Sequence, residues 1–219
     1  MYAVKLKRKL PIMRRTKEEA EQTKQAILEA AINVFFERGV AKASLEEVAR
    51  AAEVTRGAVY WHFKNKVEIF EALHEKLHTP FIEQILEGLE VDHPNPVEQL
   101  QHICTTLILA LEEDEQLRKA IQLFMFKCDY SGELAFCKNR FNVKKQEKLK
   151  AFEAYFEKAQ RQQTLPMSAD PRMLALSVNC FIRGVVSEYL DSPREFTLKQ
   201  DVPPMMQLFF KSILQPAAS

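Results

Sequence analysis

The chain has 219 residues, 47% of them hydrophobic and 28% charged, with a net charge of +1 and only 5 glycines. That composition suits an ordinary soluble protein with a real core; it argues against a glycine-built sheet, and no apolar run approaches the ~18 residues of a membrane span. The basic N-terminus lacks the apolar stretch of a secretory signal, and Cys104, Cys128, Cys137 and Cys180 lack any tight pairing, so free thiols in a reducing cytoplasm are expected.

The first helix is well marked. Thr16 and Glu19 form a T-x-x-E capping box, apolar residues recur at Ile27, Ala30, Ala31, Val34 and Phe35, and Gly39 sits where the chain leaves the helix. Ser44 with Glu47 is a second box, opening a helix over Leu45–Ala52. After a turn through Glu53 and Val54, Thr55 caps a short third helix from Arg56 to about Phe63, and Asn65 with Glu68 starts a fourth. A longer helix followed by two short ones across a tight turn predicts a helix-turn-helix head over 14–66. Residues 1–66 carry 14 lysines and arginines against 8 acids, and the remainder 17 against 22. A basic head on an acidic body suits a polyanionic partner, although imbalances of this size also arise by chance.

Beyond the head the pattern is helical throughout. Asn95-Pro96-Val97-Glu98 starts a helix to about Glu112, and Asp114 caps another to about Lys127. Residues 133–162 read as one long amphipathic helix, Asp170-Pro171 starts a helix to about Leu190, and a last one runs from about Val202 to Leu214. Sustained period-2 alternation is absent, so the expected fold class is all-α: a three-helix head and a larger C-terminal helical part, 67–219.

The most informative stretch is Thr55-Arg56-Gly57-Ala58-Val59-Tyr60-Trp61-His62-Phe63-Lys64-Asn65-Lys66. Val59 and Phe63, one turn apart, suit a core shared with Phe35, Val48 and Val54. Tyr60, Trp61 and His62 cannot all point the same way. Large aromatics beside Arg56 and two lysines either fill a gap between helices or form a surface that meets phosphate, sugar and thymine methyl groups.

Residues 14–77 resemble the DNA-binding head of the TetR family, most closely its multidrug-responsive branch. The resemblance rests on Arg14-Arg15-Thr16-Lys17-Glu18-Glu19-Ala20, Ile27-Leu28-Glu29-Ala30-Ala31, Phe36, Arg38-Gly39-Val40, Ser44-Leu45, Val48-Ala49 and Val54 through Lys66. Lys127-Cys128-Asp129-Tyr130 extends it more weakly into the C-terminal part. The resemblance implies a dimeric repressor of an efflux-pump operator. Ser44 and Lys66 would hold phosphates, and Thr55, Arg56 and Gly57 would face bases and the adjacent backbone. Tyr60, Trp61 and His62 would contact phosphate, sugar and methyl groups, with Arg14, Arg15 and Lys17 at the minor groove. Residues 1–13 form a basic extension to that pattern: an arm adding phosphate contacts, or residues upstream of a start at Met13.

The C-terminal part has an excess of large apolar side chains. Leu100, Ile103 and Leu107 make one stripe, Ile121, Phe124 and Met125 another, and Phe136, Phe141, Phe152 and Phe156 a third. Most read as core; a subset, with Leu77, is expected to line a cavity for small hydrophobic ligands between the 95–127 and 133–162 helices. Relative to the family pattern, Ile121 and Met125 replace polar groups, leaving Gln122 and Asn179 as polar candidates. The stripe Leu174, Val178, Phe181, Val185 and Tyr189, with Leu208, Phe209 and Leu214, is expected to form a homodimer interface. His74 and His78 stand one turn apart but suit a core-flanking pair better than a metal site. The expected function is a DNA-binding repressor released by a small hydrophobic ligand, with no catalytic residues, metal, cofactor or membrane partner. Two alternatives stand: a thiol-based redox sensor on the same head, and a helical ligand-binding protein whose head makes protein contacts.

Overall fold

The computed structural model describes residues 16–192 and 196–214, apart from the side chains of Glu133 and Leu214; among them there is no strand. The head is α1 (Lys17–Arg38), α2 (Leu45–Ala51) and α3 (Arg56–His62). Both expected capping boxes form. Thr16 Oγ1 accepts from Glu19 N–H at 3.2 Å, while the Glu19 carboxylate accepts from Thr16 N–H at 2.9 Å. Ser44 and Glu47 repeat the exchange at 3.2 and 3.0 Å. Gly39 (φ 74) takes the chain out of α1, and Glu53 (φ 54) makes the left-handed step of the turn between α2 and α3.

The C-terminal part comprises α4 (Lys66–Glu90), α5 (Pro96–Glu113), α6 (Glu115–Gln122), α7 (Ala135–Arg161), α8 (Pro171–Asp191) and α9 (Leu198–Leu214). α6 runs straight into a π-helical turn, Leu123–Lys127, so the expected helix to Lys127 has a widened last turn. α9 begins a turn earlier than the sequence suggested. The Asp201 carboxylate folds back to accept from Thr197 N–H at 2.6 Å, and Pro203 and Pro204 lie inside the helix. The price of the early start is two missing backbone bonds, to the exposed carbonyls of Lys199 and Gln200. α4 likewise runs through Pro80, which leaves the Lys76 carbonyl without its helical partner.

Two clusters make the core. One joins Ile27, Phe35, Val48, Val59 and Phe63 of the head to Ile69, Phe70 and Leu73 of α4, and to Ala120, Leu123 and Cys137. The other packs α5 between α7 and α9 through Leu100, Cys104, Ile108, Phe152, Phe156, Val202, Met206 and Phe210. The first half of α4 therefore shares the head's core, and its second half belongs to the body. α8 is long and apolar enough, by length and composition alone, to cross a membrane. Its apolar residues have partners in the protein: Val178, Val185 and Tyr189 are buried in the core, and Phe181 stacks on Phe209 at 4.1 Å.

Gly88 is a close-packing position on α4. A Cβ there would stand 2.5 Å from Ile103 Cδ1 and 2.6 Å from Tyr155 Oη. The Tyr155 hydroxyl is buried and donates to the Ile85 carbonyl at 2.7 Å, so it cannot yield without losing that bond. Gly88→Ala gains ~1 kcal/mol of helix propensity. It should nevertheless lower stability by about 1–2 kcal/mol, because overpacking and a strained buried hydrogen bond outweigh that gain. Urea unfolding of the two proteins measures the difference.

Candidate DNA-reading surface and ligand cavity

α3 presents two faces. Val59 and Phe63 are buried, as the spacing required, which forces Tyr60 and Trp61 outward. Trp61 is 73% exposed and Tyr60 43%, large apolar surface for a short helix to leave in water. His62 is half-buried, with Trp61 edge-on to its ring at 4.5 Å. Thr55, Arg56 and Gly57 are exposed on the first turn, and a Cβ on Gly57 would meet only Thr55 Oγ1 at 3.9 Å, so nothing in the fold requires a glycine there. Arg56 is pre-positioned: its guanidinium pairs with Glu46 at 2.9 Å, donates to Tyr60 Oη at 3.3 Å and lies 5.2 Å from the Tyr60 ring centre.

The remaining head residues flank this helix. Ser44 Oγ is taken up by the cap of α2, accepting from Glu47 N–H and donating to the Glu47 carboxylate at 3.0 Å. Lys66 Nζ donates to the Ala41 carbonyl at 2.7 Å, tying the start of α4 to the α1–α2 turn. Lys17 is exposed in the first turn of α1; Arg14, Arg15 and the 1–13 extension lie outside the described residues.

A cavity of ≈ 620 Å³ lies in the body, lined mainly by apolar side chains. Leu77, Leu107 and Ile121 line it, as expected. The other expected ligand residues divide. Leu100 and Phe152 are fully buried in the α5/α7 core, and Ile103 is half-buried against Gly88. Met125 and Asn179 line a smaller neighbouring cavity, and Gln122 lines neither.

The walls also differ from the expectation. They come from α4, α5, α6, α8 and the edge of α1, with nothing from α7. α7 packs on α5 through Phe152, Tyr155 and Phe156, which fills the space where the cavity was expected. Phe136, read as part of the α7 stripe, is 82% exposed. The sequence reading missed Pro80, Phe81 and Gln84 of α4 and Ile182 and Val186 of α8. It also missed Gln116, whose buried Oε1 has no hydrogen-bond partner and which lines this cavity. Phe81 lies one turn beyond Leu77 on α4, a helical spacing that could have found it; no local signal marks Gln116, whose burial depends on where α6 lands.

The cavity reaches the head. Glu29 and Ile32 of α1 line its edge, and Glu29 pairs with Lys76 of α4 at 3.6 Å. Lys119 of α6 donates to Asn33 Oδ1 at 3.1 Å, and Lys127 to the Phe36 carbonyl at 3.1 Å.

The thiols give no support to a redox site. Burial pushes Cys104 and Cys128 up to about 12, and Cys137 is raised as well. The Lys127 ammonium beside Cys128 in sequence lies over the Phe36 ring at 3.8 Å. Cys180, which the sequence places beside Phe181, is exposed. Among the described residues no three His, Cys, Asp or Glu side chains gather as a metal site would need.

His74 stacks on Phe141 at 3.6 Å, and burial, reinforced by His78, lowers its pKa to about 4. Its unfolded value is near 6.5. Between those values the unfolded chain binds the proton and the folded one does not, so stability falls as pH drops from 6.5 towards 4. His74→Phe should flatten the decline in thermal midpoint between pH 6.5 and 5; an unchanged pH slope would mean that His74 is not its source.

Comparison with known proteins adds two matches. The family model described as "Bacterial regulatory proteins, tetR family" matches residues 27–73, and that of the "MAATS-type transcriptional repressor, C-terminal region" matches 95–215. The chain is 32% identical to the HTH-type transcriptional repressor BepR of Brucella suis biovar 1 (strain 1330), covering 94% of this chain and 98% of that one. Among solved structures it is similar to NalD, the secondary repressor of the MexAB-OprM multidrug efflux pump in Pseudomonas aeruginosa. That match has a TM-score of 0.78 at 33% identity over 90% of this chain and 98% of NalD. It is also similar to a SmeT–triclosan complex, with a TM-score of 0.80 at 30% identity over 90% and 93% of the two chains. SmeT is the repressor of the Stenotrophomonas maltophilia multidrug efflux pump SmeDEF.

Proposed function

This chain belongs to the TetR family of bacterial transcriptional repressors, and we propose that it represses a multidrug efflux operon and leaves its operator when a small hydrophobic molecule fills the ≈ 620 Å³ cavity. The observation that carries this reading is the pairing of an outward-facing aromatic and basic α3 with an apolar cavity that shares α1 and α4 with the head. α3 enters the major groove. Arg56 and Thr55 reach base edges, Tyr60 and Trp61 pack on the backbone, and Lys66, Ser44 and Lys17 hold phosphates at the flanks. The chain acts in the cytoplasm by binding rather than catalysis.

Coupling runs through solid elements. Leu73, Leu77 and Phe81 line the cavity, and Leu73 together with Ile69 and Phe70, about two turns before Leu77 on α4, sits in the head's core. A ligand that displaces α4 or α6 displaces α1 and α3 with them, since packed cores shift between discrete arrangements. The coupling needed is about 1–3 kcal/mol per ligand.

Two heads are required to read two half-sites, so the working unit is a homodimer. The stripe expected to form its interface faces inward at Val178, Val185 and Tyr189. The last two helices leave Met173, Cys180 and Gly184 of α8 and Leu208 of α9 exposed, Leu208 at 74%, and α8 and α9 meet through the Phe181–Phe209 stack. Paired with its symmetry mate this surface gives a four-helix bundle. Leu208→Glu should yield a folded monomer in sedimentation equilibrium at micromolar concentration; a monomeric parent would refute the dimer.

Footprinting of the DNA beside its own gene, with and without triclosan as probe, tests the whole reading. A protected inverted repeat that triclosan clears supports it. Release by peroxide instead, lost in a Cys128→Ser variant, would favour the thiol-sensor alternative.

A further inference from the structure

Beside the apolar cavity, α4, the π turn, α7 and α8 enclose a second cavity of ≈ 350 Å³. One side of it is aromatic. Phe141 stands edge-on to Phe124 at 5.9 Å and to Tyr130 at 5.7 Å. The Tyr130 hydroxyl is already used, donating to the Phe124 carbonyl at 3.2 Å, and His74 covers one face of Phe141 at 3.6 Å, so this side offers aromatic edges and the remaining ring faces.

The other side is basic, and no aspartate or glutamate lines the cavity. Lys144 is balanced by Glu75 and Glu147, each at 3.3 Å. Lys138, Lys145, Lys148 and Arg183 have no carboxylate partner among the described residues; of these Lys148 alone is half-buried, and Arg183 is the charge that bears on it most. Burial, with Arg183 and Lys145 close by, lowers the Lys148 ammonium to about 8, so it still carries its charge at neutral pH. Its nearest favourable contact is the Phe81 ring, 5.7 Å away. At the base of the cavity Asn179 is only 5% exposed, and its amide hydrogen-bonds no described residue. A half-buried ammonium without a counter-ion is costly, and an anion in the cavity satisfies it, with the Asn179 amide as a further donor.

We propose that this cavity binds a flat aromatic monocarboxylate, its ring against Phe124 and Phe141 and its carboxylate held by Lys148, Arg183 and Asn179. The proposal rests on reading the C-terminal part as a ligand sensor, but the site is separate from the apolar cavity that takes the neutral molecule. Two features select this class. A volume near the lower end of the ~300–1,000 Å³ range of ligand pockets suits one or two fused rings and excludes a nucleotide-sized anion. Lys148, the one unbalanced cation held partly out of water, and the neighbouring Arg183 fork suit a carboxylate, which accepts charge-assisted bonds from both, while the exposed Lys138 and Lys145 are left to water.

Isothermal titration of the full-length protein with 2-naphthoate, and with 2-naphthamide as its neutral counterpart, tests the assignment. The acid should bind at least about tenfold more tightly than the amide, a preference that weakens with added salt. Lys148→Met and Arg183→Met should each weaken the acid by at least about tenfold and leave the amide unchanged. Lys148→Met removes a buried charge that has no partner, so its thermal midpoint should hold or rise, which keeps the binding result interpretable. Equal affinity for acid and amide overturns the proposal, as does absence of naphthoate binding or an acid affinity indifferent to both variants. Loss of naphthoate binding in Leu107→Trp but not in Lys148→Met would move the acid into the apolar cavity and overturn it too. Naphthoate binding that requires Lys148 yet leaves DNA binding unaltered would support this site while counting against the sensor reading.

Discussion

Arg56→Ala is expected to cost this protein most of its operator affinity and much of its discrimination between operator and random DNA. The Arg56 guanidinium is exposed, charged and already oriented by Glu46 at 2.9 Å and Tyr60 at 3.3 Å, so little ordering remains to be done on binding. A base-edge contact from such a fork is worth ~1–3 kcal/mol, and a dimer loses it in both half-sites, so the loss reaches roughly 10²-fold. Tyr60→Ala should follow in the same direction, since it removes both a backbone contact and one of the groups that orients Arg56. Lys66→Ala should behave differently, weakening all sequences alike and lowering the salt dependence by about one ion per protomer. Arg56 and Tyr60 are exposed and contribute nothing to the head's core, so the thermal midpoint should barely move. Fluorescence anisotropy against operator and scrambled DNA at two salt concentrations separates these effects. If the Arg56 and Tyr60 variants bind like the parent, α3 is not the reader.

The second large effect is expected in the opposite half of the molecule. Leu107→Trp and Ile121→Trp, singly and most completely together, should abolish release by a neutral hydrophobic drug while leaving operator affinity within about twofold. Both side chains line the ≈ 620 Å³ cavity, from α5 and α6 respectively. An indole projecting from either wall occupies space the ligand needs, without filling a packed core. A tenfold rise in the drug concentration for half-release corresponds to ~1.4 kcal/mol of lost binding, a modest demand for such a change. Leu100→Trp is the useful contrast: Leu100 is fully buried between α7 and α9, and a bulky ring there should unfold the body rather than block a ligand. Drug titration of the preformed protein–DNA complex reads the outcome, and unchanged release in both cavity variants would place the ligand elsewhere.

The difference between Leu100 and Leu107 shows where local reading stops. The head was legible almost residue by residue, because its signals are short-range. Thr16 with Glu19, Ser44 with Glu47, and the Thr55 and Asn65 caps each satisfy backbone groups within one turn, so the sequence alone sets where α1 to α4 begin. The i, i+4 pair Val59 and Phe63 fixes which face of α3 is buried, and Tyr60 and Trp61 become surface by exclusion. The body offered the same helical periodicity, but periodicity gives only the apolar side of a helix and not the neighbour it meets. Whether Leu107 borders a void and Leu100 a packed side chain depends on α7 lying against α5, some 50 residues on in the chain.

The same limit explains why the stripe expected at a dimer interface faces inward and why Gln116 was missed. Val178, Val185 and Tyr189 are as apolar as any interface stripe; packing within the protomer consumes them and leaves Leu208 outside. By itself, then, the sequence determined the class of fold, the capped starts of the head helices and the outward face of α3, because these follow from hydrogen bonds and burial within a few residues. Only the tertiary structure decided which apolar residues line a cavity, that Gln116 faces one with a buried oxygen lacking a partner, and that Lys148 and Arg183 lie together without a carboxylate, because those depend on long-range packing among α4, α6, α7 and α8.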